Sequence, residues 1–181
     1  MTRASYILLT SVASVSAAFA ATVPTPLKLV WNVSASVPVG LYSIAPTGPL
    51  GIADLVAVMP PPRLAAFLVE RGYLGIGAPL LKRVMGLPGR EVCRKGGAIT
   101  VDDVPLGEAL ERDSSGRKLP AWQGCRRIAA GHLFLMNPDV QDSLDGRYFG
   151  PISAATVIGR AMPLYTDEAG DGHLIWRAAV R

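Results

Sequence analysis

The chain has 181 residues, of which 50% are hydrophobic and 18% are charged. This composition excludes an intrinsically disordered chain, and the length allows one domain of ordinary size. The net charge of +4 comes without a long run of lysine and arginine, so it does not indicate nucleic-acid binding and suits an anionic membrane surface equally well. Glycine and proline are spread along the chain as turn residues, which favours many short strands.

The amino-terminal segment is uncharged. Residues 5–23 follow Arg3 and carry no charged side chain, which is close to the roughly 20 residues that cross a bilayer as a helix. One interpretation is a retained signal anchor with Arg3 on the inner side. Another is a signal peptide cleaved after the small-x-small sequence at residues 18–20. Both interpretations predict an exported domain over residues 24–181 behind an anchor or signal segment at residues 1–23; a buried soluble helix is the third.

The next part of the chain predicts short strands and one helix. Pro38 and Gly40 place a turn between two short strands. Leu64 and Phe67 share one face of a helix that Gly72 ends. After a linker at 24–31, the predicted elements are the strand pair at 32–46, a buried strand at 54–59, the helix at 63–73 and a strand at 80–85.

Residues 90–131 are polar and rich in turns, and we interpret them as a reduced insertion subdomain. They contain Cys93 and Cys125. In an exported chain these two could form a disulfide that closes a loop of about 30 residues and contributes about 3 kcal/mol. Two buried free thiols are the alternative. Strands are predicted at 132–136 and 154–161.

Common cofactor and metal motifs do not occur in this sequence. It has no GxxxxGK[ST], no GxGxxG and no HExxH, so we predict neither a bound cofactor nor a metal site. The two histidines, His132 and His173, lack ligand neighbours at helical spacing. We predict a structural role for both.

Three segments carry residues that could do chemistry. Ser36 precedes a proline turn, where its hydroxyl could stand clear of the sheet, although such a serine commonly makes only a local turn. Lys82 alternates with Leu80 and Val84 on one strand face. If that face is buried, desolvation lowers the lysine pKa and makes the amine a usable general base. If the face is exposed, or if the ammonium reaches solvent along its aliphatic chain, the lysine is an ordinary charged surface residue.

The third segment is the polar loop at residues 137–150, which follows a predicted strand. Asp145 and Arg147 are spaced to pair and to hold this loop. A solvated surface turn is the alternative.

In this order the three segments resemble the signal peptidase I family, and most closely its TraF-type branch of conjugative transfer peptidases. That family has a serine ahead of a proline turn, a lysine in a KRV-G-PG strand and an NS-D-SRY-G loop. The matching segments are residues 36–38 (SVP), 82–89 (KRVMGLPG) and 142–150 (DSLDGRYFG). Proline stands two residues after Ser36 rather than three, Gly146 replaces the usual serine, and Asn137 begins the loop where Gly-Asp-Asn is common.

The resemblance implies a mainly β, signal-peptidase-like fold with one or two short helices, and a serine endopeptidase with a Ser-Lys dyad. Ser36 would be the nucleophile, with Ser34 as the alternative, and Lys82 would be the general base. Ser34 would otherwise stabilise the oxyanion with its hydroxyl. Ser143 would orient the lysine amine.

The same resemblance implies that an ion pair between Asp145 and Arg147 supports the loop without contacting the substrate. It also implies that the substrate is an exported precursor. A pilin precursor of a conjugative type IV secretion system is favoured, with hydrolysis and peptide cyclisation both open. The protein would sit in the bacterial inner membrane with a periplasmic catalytic domain, or in the periplasm after cleavage. A general signal peptidase that removes signal peptides and a non-enzymatic pilus assembly protein are the alternatives.

Overall fold

The computed structural model describes residues 2–22 and 26–179, so the predicted boundary between residues 23 and 24 lies outside the described residues. The first helix, α1, covers Arg3–Thr22. Its Arg3–Ala20 window has a mean hydropathy of 1.3 and no buried residue. By length and composition α1 could cross a membrane, and a signal sequence would have the same properties.

The remainder of the described chain is mainly β, as predicted. The strands are Leu29–Asn32 (β1), Val39–Ala45 (β2), Leu55–Val58 (β3), Leu80–Gly86 (β4), Glu91–Lys95 (β5), Ala98–Val101 (β6), Val104–Glu108 (β7), Gly124–Arg127 (β8), His132–Met136 (β9), Ile152–Ser153 (β10), Val157–Asp167 (β11) and Ile175–Trp176 (β12). Two further short α-helices are Pro62–Glu70 (α2) and Gly146–Phe149 (α3).

The larger sheet is antiparallel, with the order β1-β2-β11-β3-β4-β9-β10 and with β12 paired to β11. All four residues of β3 are buried, because this strand lies between β11 and β4 and packs on both faces. Leu55 and Ala57 belong to one apolar cluster, whereas Val56 and Val58 belong to another. The sheet therefore has a core on each side, as the two-residue period of a strand requires.

The smaller sheet has the order β7-β6-β5-β8. Its apolar cluster includes Phe134 and Met136 of β9, so this sheet packs against the larger one. Cys93 and Cys125 are directly opposite each other on β5 and β8 and form a disulfide. The structure therefore has the disulfide and not two free thiols. The division of the chain at about residues 90 and 131 stays a prediction.

The observed elements differ from the predicted ones at four places. Residues 29–31 of the predicted linker are not a linker but belong to β1, because Leu29–Asn32 pairs with β2. Helix α2 begins at Pro62 and ends at Glu70, and Gly72 follows it in the left-handed conformation with its N–H bonded to the Val69 carbonyl. The predicted strand at 154–161 instead begins at Val157 and continues to Asp167, because pairing with β2 extends it. Helix α3 was not predicted. It is a single turn capped by the Asp145 carboxylate.

Candidate active site

The turn between β1 and β2 brings two hydroxyl groups together. Ser34 Oγ donates a hydrogen bond to Ser36 Oγ at 3.1 Å, and the Ser36 N–H donates to Ser34 Oγ at 3.3 Å. Ser36 is half-buried and Ser34 is exposed. The Ser34 hydroxyl thus lies beside the Ser36 amide, where an oxyanion beside Ser36 would need its donors.

Lys82 lies on β4 and is 4% exposed. Its Nζ donates a hydrogen bond of 2.7 Å to Ser143 Oγ. Burial lowers the lysine pKa to about 8; of the neighbouring charges, Asp145 opposes this shift and Arg147 adds to it. An amine with such a pKa is partly neutral near physiological pH, and only the neutral form can accept a proton.

The loop that carries Ser143 is built around the Arg147 side chain. Arg147 is 1% exposed and its guanidinium pairs with the Asp145 carboxylate at 2.8 Å. The same guanidinium donates to five main-chain carbonyls, those of Glu108, Asn137, Val140, Gln141 and Ser143. The ion pair therefore holds the loop from within, and with it the Ser143 hydroxyl that Lys82 contacts.

A cleft of about 270 Å³ brings the predicted site residues together. Ser34, Ser36, Lys82 and Ser143 all line it. Within the part of the chain that the structure describes, no hydrogen bond joins Ser36 Oγ to Lys82 Nζ. Such catalytic hydrogen bonds are often long in a free enzyme and shorten when substrate binds. Asp145 and Arg147 do not line this cleft and lie behind it.

The cleft walls were not predicted from the sequence. Tyr73, Leu74 and Pro79, which follow α2, line the cleft, as does Asp142. Asn137 was also missed as a site residue, although its side chain contacts the main chain of Ser36. A single polar residue in a loop has no periodicity that could indicate a role. The only signal for Asn137 in the sequence was that it departs from the family motif at that position.

One group of possible metal ligands occurs among the described residues. Glu91, Cys93 and Cys125 have ligand atoms within 4.8 Å of one another. The two cysteines are bonded to each other, so neither sulfur is a free thiolate that could bind a metal.

The family model "Signal peptidase, peptidase S26" matches residues 2–165. The chain belongs to this peptidase family. This match confirms the family resemblance that the segments around Ser36, Lys82 and Ser143 indicated.

Several curated relatives have names that refer to conjugal or plasmid transfer. "Conjugal transfer protein TraF" of Agrobacterium fabrum is 37% identical over 147 residues, which cover 75% of this chain and 81% of the relative. "Plasmid transfer protein TraF" of Escherichia coli is 32% identical over 148 residues, with 75% and 81% covered. A signal peptidase I crystal structure from Enterococcus faecalis aligns with a TM-score of 0.38 and 22% identity, covering 63% of this chain and 97% of that one.

Proposed function

We propose that this signal peptidase family member is a serine endopeptidase in which Ser36 is the nucleophile and Lys82 is the general base. One observation carries the proposal. A lysine amine that burial brings to a pKa of about 8 lines the same cleft as a half-buried serine hydroxyl. This combination supplies a nucleophile and a base without a histidine.

The mechanism follows from these two groups. Neutral Lys82 accepts the proton of Ser36 Oγ as the oxygen attacks the scissile carbonyl. The resulting tetrahedral intermediate collapses to an ester on Ser36, and the proton held by Lys82 passes to the leaving amine. Water or a second amine then attacks the ester, and Lys82 accepts the proton of that attacking group. The second tetrahedral intermediate collapses by breaking its bond to Ser36 Oγ, and that oxygen takes the proton back from Lys82. Ser143, at 2.7 Å from Lys82 Nζ, keeps the amine in place through these steps.

Ser34 and the Ser36 main-chain N–H are the proposed oxyanion donors. In the free protein the Ser36 N–H donates to Ser34 Oγ at 3.3 Å, and the Ser34 hydroxyl donates to Ser36 Oγ at 3.1 Å. When a carbonyl oxygen enters the cleft, the exposed Ser34 hydroxyl can rotate towards it, and this rotation frees the Ser36 N–H to donate as well. Loss of one such donor typically lowers kcat by about 10²- to 10³-fold.

The proposed substrate is an exported precursor. The names of the relatives refer to conjugal and plasmid transfer, and within that process we propose the pilin precursor of a conjugative type IV secretion system. Helix α1 would anchor the protein in the inner membrane with the catalytic domain in the periplasm, or would be removed after export. Two outcomes follow from the chemistry of the ester on Ser36. Attack by water gives hydrolysis, and attack by the amino terminus of the substrate gives a cyclic product.

The test is mass spectrometry of the pilin precursor co-expressed with the wild type and with Ser36→Ala, Lys82→Ala and Lys82→Arg. We expect trimming by the wild type alone, since a guanidinium is not deprotonated at working pH. Ser43→Ala and Lys95→Ala are matched controls, because neither residue lines the cleft. Both controls should trim normally.

A trimmed product lighter by one further water indicates cyclisation, and the hydrolysed mass indicates a simple peptidase. Trimming by Lys82→Arg contradicts the base assignment. Equal trimming by Ser36→Ala contradicts the nucleophile assignment, and Ser34→Ala then tests the alternative serine. A precursor left intact by every form contradicts the pilin substrate.

A further inference from the structure

The sequence contains two asparagines, Asn32 and Asn137. They are far apart along the chain, yet both side chains donate to main-chain carbonyls of the same turn. Asn32 is 8% exposed and Asn137 is 3% exposed. A buried side-chain amide that is hydrogen-bonded to the turn carrying Ser36 restricts where that turn can lie.

Asn32 builds the turn itself. Its Nδ2 lies 2.7 Å from the Ser34 carbonyl and 3.1 Å from the carbonyls of Val37 and Pro38, and its Oδ1 accepts from the Ser34 N–H. All of these partners lie within six residues of Asn32. The contacts therefore shape the turn but do not connect it to the base.

Asn137 makes that connection. Its Nδ2 donates to the Ser36 carbonyl at 2.7 Å and to the Leu81 carbonyl at 3.2 Å. Its Oδ1 accepts from the Arg83 N–H at 3.1 Å. Leu81 and Arg83 are the two neighbours of Lys82 on β4, so one side chain holds the strand on both sides of the base and holds the nucleophile as well.

The position of Asn137 depends in turn on the loop behind the cleft. Its main-chain N–H donates to the Asp145 carboxylate at 3.0 Å, and its carbonyl accepts from the Arg147 guanidinium at 3.2 Å. The three segments with candidate catalytic residues therefore meet at Asn137. The pairing of β9 with β4 begins only at Arg83. Strand pairing therefore does not connect Asn137 to Leu81 or to Ser36.

We propose that Asn137 is a positioning residue that sets the separation of Ser36 and Lys82 through its hydrogen bond to the Ser36 carbonyl. The proposal rests on the Ser36–Lys82 peptidase described above. Asn137 touches neither the substrate nor the reacting atoms. Its effect is expected in kcat, because displacing a nucleophile by about 1 Å from its base can lower the rate about 100-fold.

The decisive variant is Asn137→Asp, which keeps the shape of the side chain and the acceptor for the Arg83 N–H. It replaces the donor that faces the Ser36 and Leu81 carbonyls with an oxygen, which cannot bind them unless it is protonated. Asn137→Ala removes all three contacts and adds no charge. Thr156→Val is the control, since it removes a side-chain hydrogen bond of 2.6 Å to the Ser153 carbonyl outside the cleft.

Two assays on the full-length proteins separate positioning from folding and from substrate choice. The first measures kcat and KM for cleavage of the precursor at a temperature below the unfolding midpoint of every variant. The second measures acetylation of Ser36 by p-nitrophenyl acetate, located by peptide mass spectrometry, because this small ester needs nucleophile and base but no peptide contacts. Ser36→Ala gives the background of both assays.

We expect Asn137→Asp and Asn137→Ala to lower kcat and the acetylation rate about 10- to 100-fold, with KM changed by less than about threefold. The pH midpoint of Asn137→Ala should stay at the wild-type value, because the charged neighbours of Lys82 remain. Thr156→Val should keep the wild-type kcat.

Wild-type rates in both Asn137 variants overturn the positioning role. So does a loss of kcat in Thr156→Val that equals theirs, because general destabilisation then explains the result. A moved pH midpoint in Asn137→Ala also overturns it, in favour of an effect on the base itself. If wild-type acetylation and cleavage do not exceed the Ser36→Ala background, the proposed peptidase mechanism fails first.

Discussion

Lys82 and Arg147 are both buried cations, but their surroundings are opposite. Arg147 is 1% exposed and has the Asp145 carboxylate and five carbonyls as acceptors. Lys82 is 4% exposed, and its nitrogen has a neutral hydroxyl, that of Ser143, as its hydrogen-bond partner. One charge is fully compensated and the other is not.

In the proposed mechanism, this difference separates a structural cation from a reactive one. A guanidinium stays charged in proteins, so a buried arginine is stable only with a complete set of acceptors. A buried lysine without such a set loses its proton more easily, and the pKa of about 8 for Lys82 reflects this. Burial alone therefore does not identify a catalytic residue; the partners of the buried group decide its role.

Removing the compensated cation should have the largest effect. Arg147→Met leaves the Asp145 carboxylate buried without its partner, which typically lowers the free energy of unfolding by about 3 to 5 kcal/mol. Arg90→Met is the control, because its ion pair with Asp102 is largely exposed and its loss should change the free energy of unfolding far less. Urea unfolding followed by circular dichroism measures both. Equal losses would contradict the contrast between these two ion pairs.

Removing the uncompensated cation should stabilise the fold. Lys82→Met should be inactive and should raise the free energy of unfolding at pH 7 by about 1 to 3 kcal/mol, because the buried ammonium is replaced by an apolar group. The folded-state pKa of about 8 lies below the unfolded value of 10.5. The wild type therefore gains stability between these pH values, as the folded state loses its proton first.

The measurement is the unfolding free energy of the wild type and of Lys82→Met between pH 6 and pH 11, a range that spans the lysine titration. The advantage of the variant should be constant below about pH 8 and shrink above it. A constant difference over the whole range would show that the amine titrates alike in both states.

The pH dependence of catalysis should follow the same group. If Lys82 acts as the base in its neutral form, kcat/KM rises about tenfold per pH unit below the lysine pKa and levels off above about 8. Steady-state cleavage assays at several pH values give this profile. A rate that falls as pH rises through this range would contradict a neutral amine base.

A smaller change should come from Asp142, an exposed carboxylate that raises the Lys82 pKa. Asp142→Asn removes this charge, so the midpoint of the pH profile should move to lower pH by less than about one unit. Asp139→Asn is the matched control, because Asp139 lies in the same loop but does not line the cleft. A shift to higher pH in Asp142→Asn would reverse the assigned sign of this interaction.

Local patterns predicted much of the fold. The strand at 132–136 and the stop of α2 near Gly72 agree with the structure, because a short apolar run and a left-handed glycine are properties of short segments. The single turn of α3 was missed, since it depends on a cap from Asp145 rather than on an apolar face. The length of β11 was missed because its partner strand determines it.

The sequence by itself determined which residue types could do chemistry and in what order they occur. Ser36, Lys82 and Ser143 stand in short motifs, and a motif is a property of neighbours in the chain. Only the tertiary structure decided the burial of Lys82 and the contacts of Asn137. The partner of Lys82 lies 61 residues away and the Asn137 contact with Ser36 spans 101 residues. Burial and distance between such residues arise from packing of the whole sheet, which no local pattern contains.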